Sequence, residues 1–223
     1  MQTADPVKSG DGITDERRKR LVDRALLLAL ITIAYNVIEG AVSVIIGVKD
    51  ETLSLFGFGL DSFVEVISGI GILHLTIRSA QKNEQSLDRF EQQALRITGT
   101  AFYLLALTLF ATGAINYYAE NMPETTFWGI IISLISILTM SILIKEKKTV
   151  GRALESDAII ADANCTRACL LLSIVLLAAS VGYEWTGFAG MDAAGAILIG
   201  ILAAKEGREA FQKAKGKMCS CAA

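Results

Sequence analysis

Six long apolar segments, separated by polar stretches, run through the chain. They cover roughly 25–48, 52–77, 97–119, 126–144, 157–182 and 188–204. Segments of this length cross a bilayer as helices, and none shows the alternation of a barrel strand. The pattern predicts an all-α integral membrane protein, a six-helix transmembrane bundle. The short connections on one side predict that helices 1 and 2, 3 and 4, and 5 and 6 are antiparallel neighbours.

The distribution of basic residues predicts the orientation of the bundle. Nineteen of the 21 Lys and Arg residues lie in the N-terminal arm, the connections 78–96 and 145–152, and the C-terminal tail. By the positive-inside rule both termini are cytoplasmic, and topology accounts for the basic runs without any nucleic acid. We predict a polar arm over 1–24, a transmembrane domain over 25–204 and a short, solvated cytoplasmic tail over 205–223. The protein is then multi-pass in the cell membrane, or in the inner membrane of a bacterium.

Helices 2 and 5 carry polar side chains where a membrane helix is normally hydrocarbon. Asp61 and Glu65 are four residues apart in helix 2, and Cys165 and Cys169 are four apart in helix 5. Each pair therefore lies on one helical face, and Asp162 joins the cysteine face. Ionisable groups inside a membrane are costly, so they mark a functional site. The alternative for the cysteines is simple packing, since cysteine is often a small buried hydrophobe.

Counting along the helices places the two pairs at similar depth. At about 1.5 Å per residue, Asp61 lies ~14 Å and Glu65 ~20 Å from the outer face. Cys165 and Cys169 lie ~12 Å and ~18 Å from the cytoplasmic face of a core ~30 Å thick. Asp61 is then level with Cys169, and Glu65 with Cys165. The four side chains converge if helices 2 and 5 touch.

Two carboxylates and two thiols are a suitable ligand set for a divalent metal ion. Thiolates favour soft or borderline ions, so we expect zinc first, then cadmium or another soft metal, rather than manganese or magnesium. Four ionised ligands would leave two negative charges in excess around the ion. Because such charge is expensive in low dielectric, binding must displace protons from thiols and carboxyl groups.

Other polar residues in the spans have less certain roles. Asn36 and Glu39 of helix 1 either line a pathway or pair with polar neighbours. Asp162 is a ligand, a residue that orients a ligand, or a hydrogen-bonding residue between helices. Arg167 points away from the cysteine face, and it either offsets excess charge or pairs with Glu39. Asp192, near the outer start of helix 6, suits a cap or first-turn role.

Cys219 and Cys221 form a C-x-C pair in the predicted tail. Cytoplasmic conditions keep such thiols reduced, so they are candidates for capturing a soft metal. Two ligands without a fixed scaffold are a weak signal, and an incidental flexible tail is the alternative.

The motifs LDSFVEV in helix 2 and SDAIIADANCTRAC in helix 5 resemble the ligand motifs of the cation diffusion facilitator family, over about residues 20–205. The resemblance implies a six-helix homodimeric transporter, not an enzyme, that exchanges zinc or related cations for protons. Asp61 and Glu65 match the two helix-2 carboxylates, with glutamate in place of the second aspartate. Cys165 and Cys169 replace histidine and aspartate, and the usual cytoplasmic C-terminal domain is expected to be missing.

These observations predict a secondary transporter of a divalent heavy-metal cation, working by proton-coupled efflux within the lipid bilayer. One alternative is a membrane thiol oxidoreductase, although a C-x-x-x-C spacing fixed by a helix is poor geometry for disulfide exchange. The other is a bundle that binds or senses metal without transporting it.

Overall fold

The computed structural model of the protein describes residues 15–82, 89–119, 126–188 and 190–215. These residues form six helices and no strand, and the predicted all-α membrane bundle is thereby confirmed. The helices are α1 (Asp15–Lys49), α2 (Leu53–Lys82), α3 (Arg89–Ala119), α4 (Phe127–Ala153), α5 (Asp157–Thr186) and α6 (Gly190–Ala214).

Several helices run further than the apolar segments from which they were predicted. Helix α1 begins at Asp15, α4 continues through the basic stretch to Ala153, and α6 continues to Ala214. Lys, Arg, Glu and Gln are good helix formers, so a helix need not end where its apolar segment ends. Ala210 and Ala214 are buried, so the stretch expected as a solvated tail begins as a packed helix.

Five helices, α1 to α5, are long and apolar enough to cross a membrane. Helix α6 has a shorter apolar stretch, because Asp192 precedes it and Lys205 and Glu206 follow it. It nevertheless lies inside the bundle, where Ala196, Ile199 and Ala203 are fully buried. The surface has the character expected of a membrane protein: large aliphatic side chains are exposed, and small polar ones such as Ser133 and Ser173 are buried.

The predicted pairing of helices 3 and 4 is wrong. Among the described residues, α3 packs mainly against α6 and α4 mainly against α5, while α3 and α4 make no extensive contact. Glycines decide these pairings, because small residues let helix backbones approach closely. A Cβ on Gly99 of α3 would lie 3.1 Å from the carbonyl oxygen of Gly207 in α6. The predicted α1–α2 and α5–α6 contacts are present.

Asp192 fixes α6 against the start of α2. Its Oδ2 accepts a hydrogen bond from the Leu53 N–H at 2.8 Å, and its Oδ1 accepts from the Ser54 N–H at 3.1 Å and from the Ser54 hydroxyl. The carboxylate lies in the first turn of its own helix, as expected, and also caps a neighbouring one. This contact helps to hold α2, which also touches α5, in register within the bundle.

Candidate metal site between helices α2 and α5

Glu65 and Cys169 are in direct contact where α2 meets α5. The Cys169 thiol donates to Glu65 Oε2, and Asn36 Nδ2 of α1 donates to the same oxygen at 3.2 Å. The predicted match of depths between the two helices is therefore wrong by one helical turn, since Glu65 contacts Cys169 rather than Cys165. Depths counted from helix ends ignore tilt and sliding between helices, which are set by packing.

Asp61 lies one turn from Glu65 on the same helix and is 2% exposed. It is close enough to both Glu65 and Cys169 to interact with them electrostatically. Its Oδ1 has no hydrogen-bond partner among the described residues. A buried carboxyl oxygen without a partner is costly, so a cation or a proton at this position would stabilise it.

Cys165, one turn from Cys169, is partly buried and has a different neighbour. Lys213 Nζ of α6 donates to its sulfur at 3.5 Å. Both cysteines are free thiols. Three or more His, Cys, Asp or Glu side chains already gathered to hold an ion are not found within the described ranges. Glu65 and Cys169 are in contact, Asp61 lies within electrostatic range of both, and Cys165 contacts Lys213 of α6 instead.

A cavity of about 40 Å³ lies beside Glu65 and reaches toward the ends of α1, α3 and α6. Its lining contains Asn36, Glu65, Asp162 and Cys165, all of them predicted site or pathway residues. It also contains polar residues that sequence reasoning missed, namely Thr32, Ser68, Thr98, Thr166, Glu206 and Lys213. Because Asp162 near the start of α5 and Ala210 near the end of α6 both line it, the cavity lies toward the predicted cytoplasmic side.

Glu39 does not line this cavity. Its carboxylate accepts hydrogen bonds from the Tyr35 hydroxyl at 2.9 Å and from the Ser62 hydroxyl at 3.2 Å. Asn36 therefore lines the cavity, and Glu39 pairs with polar neighbours.

Asp162 forms an ion pair that links α4 to α5. Its Oδ2 lies 2.9 Å from Lys147 Nζ, and the same ammonium donates to Thr166 Oγ1 at 3.0 Å. Lys147 was missed because it belongs to the basic run KEKK, which the sequence placed in a cytoplasmic connection. It is 1% exposed. No signal in the sequence pointed to this pair, because Lys147 and Asp162 belong to different helices and only the fold brings them together.

Arg167 lies on the exposed face of α5, as its spacing predicted. Within the described residues it makes no ion pair with Glu39 and does not face the site. The positive charges near the site belong instead to Lys147 and Lys213. Cys219 and Cys221 lie outside the described residues.

A family model described as the cation efflux transmembrane domain matches residues 26–215. The chain belongs to this family. The resemblance to the cation diffusion facilitators is thereby confirmed, and the family is one of transporters rather than enzymes. The match covers all the site residues described above, from Asn36 to Lys213.

Two relatives extend the comparison. An uncharacterized transporter of Methanocaldococcus jannaschii is 28% identical over 192 residues, which is 83% of this chain and 66% of the relative. Transmembrane protein 163 of Xenopus laevis is 27% identical over 180 residues, which is 80% of this chain and 63% of the relative. The chain thus spans about two thirds of the length of these relatives.

Proposed function

We propose that this protein is a secondary transporter of a divalent heavy-metal cation, zinc or a softer ion such as cadmium. The cation would bind to Asp61, Glu65, Cys165 and Cys169. The contact between Glu65 and Cys169 across the α2–α5 interface carries the proposal. Asp61, one turn from Glu65, adds a carboxyl oxygen that finds no hydrogen-bond partner in the part of the chain that the structure describes. The archaeal relative, which is named an uncharacterized transporter, agrees with this proposal.

Charge balance supports exchange of the cation for protons. In the metal-free protein, buried carboxyl and thiol groups this close together cannot all be ionised, so protons neutralise some of them. A divalent cation that takes their place must release those protons. Outward transport against an inward flow of protons follows from the same exchange if protons enter from the opposite face.

The cavity supports access to the site from one side at a time. It connects Glu65 and Cys165 to the predicted cytoplasmic end of the bundle. Relative movement of α2 and α5 would close this route and open the other, which is the alternating-access scheme. We place the transporter in the cell membrane and, by the family resemblance, propose that it is a homodimer.

Cation flux into proteoliposomes containing the full chain tests this function. We expect cadmium and zinc uptake driven by an opposing proton gradient. The flux should fall about tenfold or more in Glu65→Gln and in the Cys165→Ser, Cys169→Ser double variant. Glu209→Gln, a partly exposed glutamate of α6 that pairs with Lys205, is the matched control and should keep its flux. Wild-type flux in the double cysteine variant would refute the site assignment. Comparing Cys219→Ser, Cys221→Ser with the wild type tests metal capture by the tail pair.

A further inference from the structure

The ammonium group of Lys213 lies at the end of the cavity that faces the predicted cytoplasm. Besides donating to the Cys165 sulfur at 3.5 Å, it is close enough to Glu206, two turns back on α6, to interact with it electrostatically. A positive charge thus contacts a thiol and lies within electrostatic range of a carboxyl group, and both groups line the cavity. These are the neighbours that a metal cation would seek at the same place.

The cavity wall also contains two oxygen atoms that have no hydrogen-bond partner within the described part of the chain. Asn36 is 2% exposed and Thr98 is 1% exposed, and both line the cavity. Asn36 Oδ1 and Thr98 Oγ1 have no hydrogen-bond partner among the described residues. Buried polar atoms normally find partners, so these two indicate a place for a polar guest. A cavity of about 40 Å³ has room for an ion with a water molecule or two.

The two lysines near the site differ in burial and in their position along the helix. Lys147 is 1% exposed and is fixed between Asp162 and Thr166. Lys213 is partly exposed and lies one residue before the last residue of α6. Its flexible four-carbon stem allows the ammonium to move out toward solvent. Lys147 is therefore a buried structural charge, whereas the side chain of Lys213 is exposed enough and long enough for its ammonium to reach solvent.

We propose that Cys165 and Glu206 form a cation-binding site at the cytoplasmic mouth of the cavity, and that the Lys213 ammonium occupies it whenever no metal is bound. This inference rests on the proposed transport function and adds Glu206 and Lys213 to it. A divalent cation arriving from the cytoplasm displaces the ammonium, binds Cys165 and Glu206, and then passes to Glu65 and Cys169. A soft cation does so more readily than a hard one, because a thiol prefers soft ions.

Metal cannot bind while Lys213 occupies the site. The apparent affinity for metal is therefore the intrinsic affinity multiplied by the fraction of molecules in which the site is open. If the ammonium fills the site in about four of five molecules, its removal raises the apparent affinity about fivefold. Removal of Glu206 has the opposite effect, since a cation loses one of its two ligands. Opposite effects from two residues of one cluster are not what general damage to the fold would produce.

Titration of the purified full chain with cadmium chloride alone tests the inference, by calorimetry and by the ultraviolet sulfur-to-cadmium charge-transfer band. We expect Lys213→Gln to bind cadmium about fivefold more tightly and Glu206→Gln to bind it more weakly. Lys213→Arg keeps the charge and should resemble the wild type. Lys215→Gln removes an exposed charge from the same helix end and is the matched control, as Glu209→Gln is for Glu206.

The outcomes separate this inference from the transport function. Unchanged or weaker cadmium binding in Lys213→Gln, with wild-type flux intact in proteoliposomes, overturns the occupation by Lys213 and leaves the transporter standing. A wild-type protein that neither binds nor transports cadmium overturns both. Equal tightening in Lys213→Gln and Lys215→Gln also overturns the inference, because the effect would then come from net charge.

Discussion

Lys147 Nζ lies 2.9 Å from Asp162 Oδ2, and this ion pair joins α4 to α5, with Lys147 buried and Asp162 partly buried. A buried pair contributes little net stability compared with two apolar residues, but loss of one partner leaves an unpaired buried charge. We therefore expect Lys147→Met to lower the free energy of unfolding by about 3–5 kcal/mol. Thermal unfolding in detergent measures it.

The double variant Lys147→Met, Asp162→Asn is the control for this prediction. It removes both charges, so it should regain most of the stability that the single variant loses. Lys148→Met, one residue along α4, should be nearly neutral because its side chain is less buried. A single variant as stable as the wild type would show that the pair is not buried in the folded protein.

Asp192 gives a second prediction, on the start of α2. Asp192→Ala removes the acceptor for the Leu53 and Ser54 N–H groups and for the Ser54 hydroxyl, so we expect a loss of about 1–2 kcal/mol. Asp192→Asn keeps one acceptor oxygen and should lose less. Hydrogen exchange at residues 53–56 should speed up in both variants. Asp23→Ala, at an exposed position of α1, is the control, and equal exchange in all of them would contradict the cap.

The sequence was most informative about features that depend on one helix at a time. The six apolar segments predicted the helices, and the four-residue spacings put Asp61 with Glu65 and Cys165 with Cys169. Features that depend on two helices were harder, because sequence spacing does not encode how far helices slide or which faces meet. Two findings are of this kind. One is the one-turn offset that brings Glu65 to Cys169, and the other is the packing of α3 against α6.

The sequence also did not predict that Lys147 and Lys213 lie near the site. A lysine in a basic run is normally solvated, and Lys147 is buried only because Asp162 of another helix compensates its charge. Lys213 lies past the last apolar segment and joins the cavity only because α6 continues as a helix. The candidate carboxyl and thiol ligands were therefore predicted from the sequence, but the two lysines near them were not.

The two cysteines of α5 should differ in their access to reagents. Cys169 is 4% exposed and contacts Glu65, whereas Cys165 is partly buried and lines the cavity. In a Cys219→Ser, Cys221→Ser background, we expect N-ethylmaleimide to modify Cys165 several times faster than Cys169, by mass spectrometry of the peptides. Cadmium added beforehand should protect Cys165. Faster modification of Cys169, or no protection, would contradict the cavity as the route to the site.

The last prediction concerns the choice of metal. If Cys169 is a ligand, its sulfur biases the site toward soft ions, and Cys169→Asp replaces a soft donor with a hard one. We expect the ratio of cadmium to manganese affinity to fall by at least about tenfold in this variant, measured by competition on the purified protein. Ser173→Asp, one turn along α5, also adds a carboxylate but leaves both thiols in place, so it should keep the cadmium preference. A manganese preference in the wild type would contradict ligation by thiols, since no sulfur ligand selects manganese over cadmium.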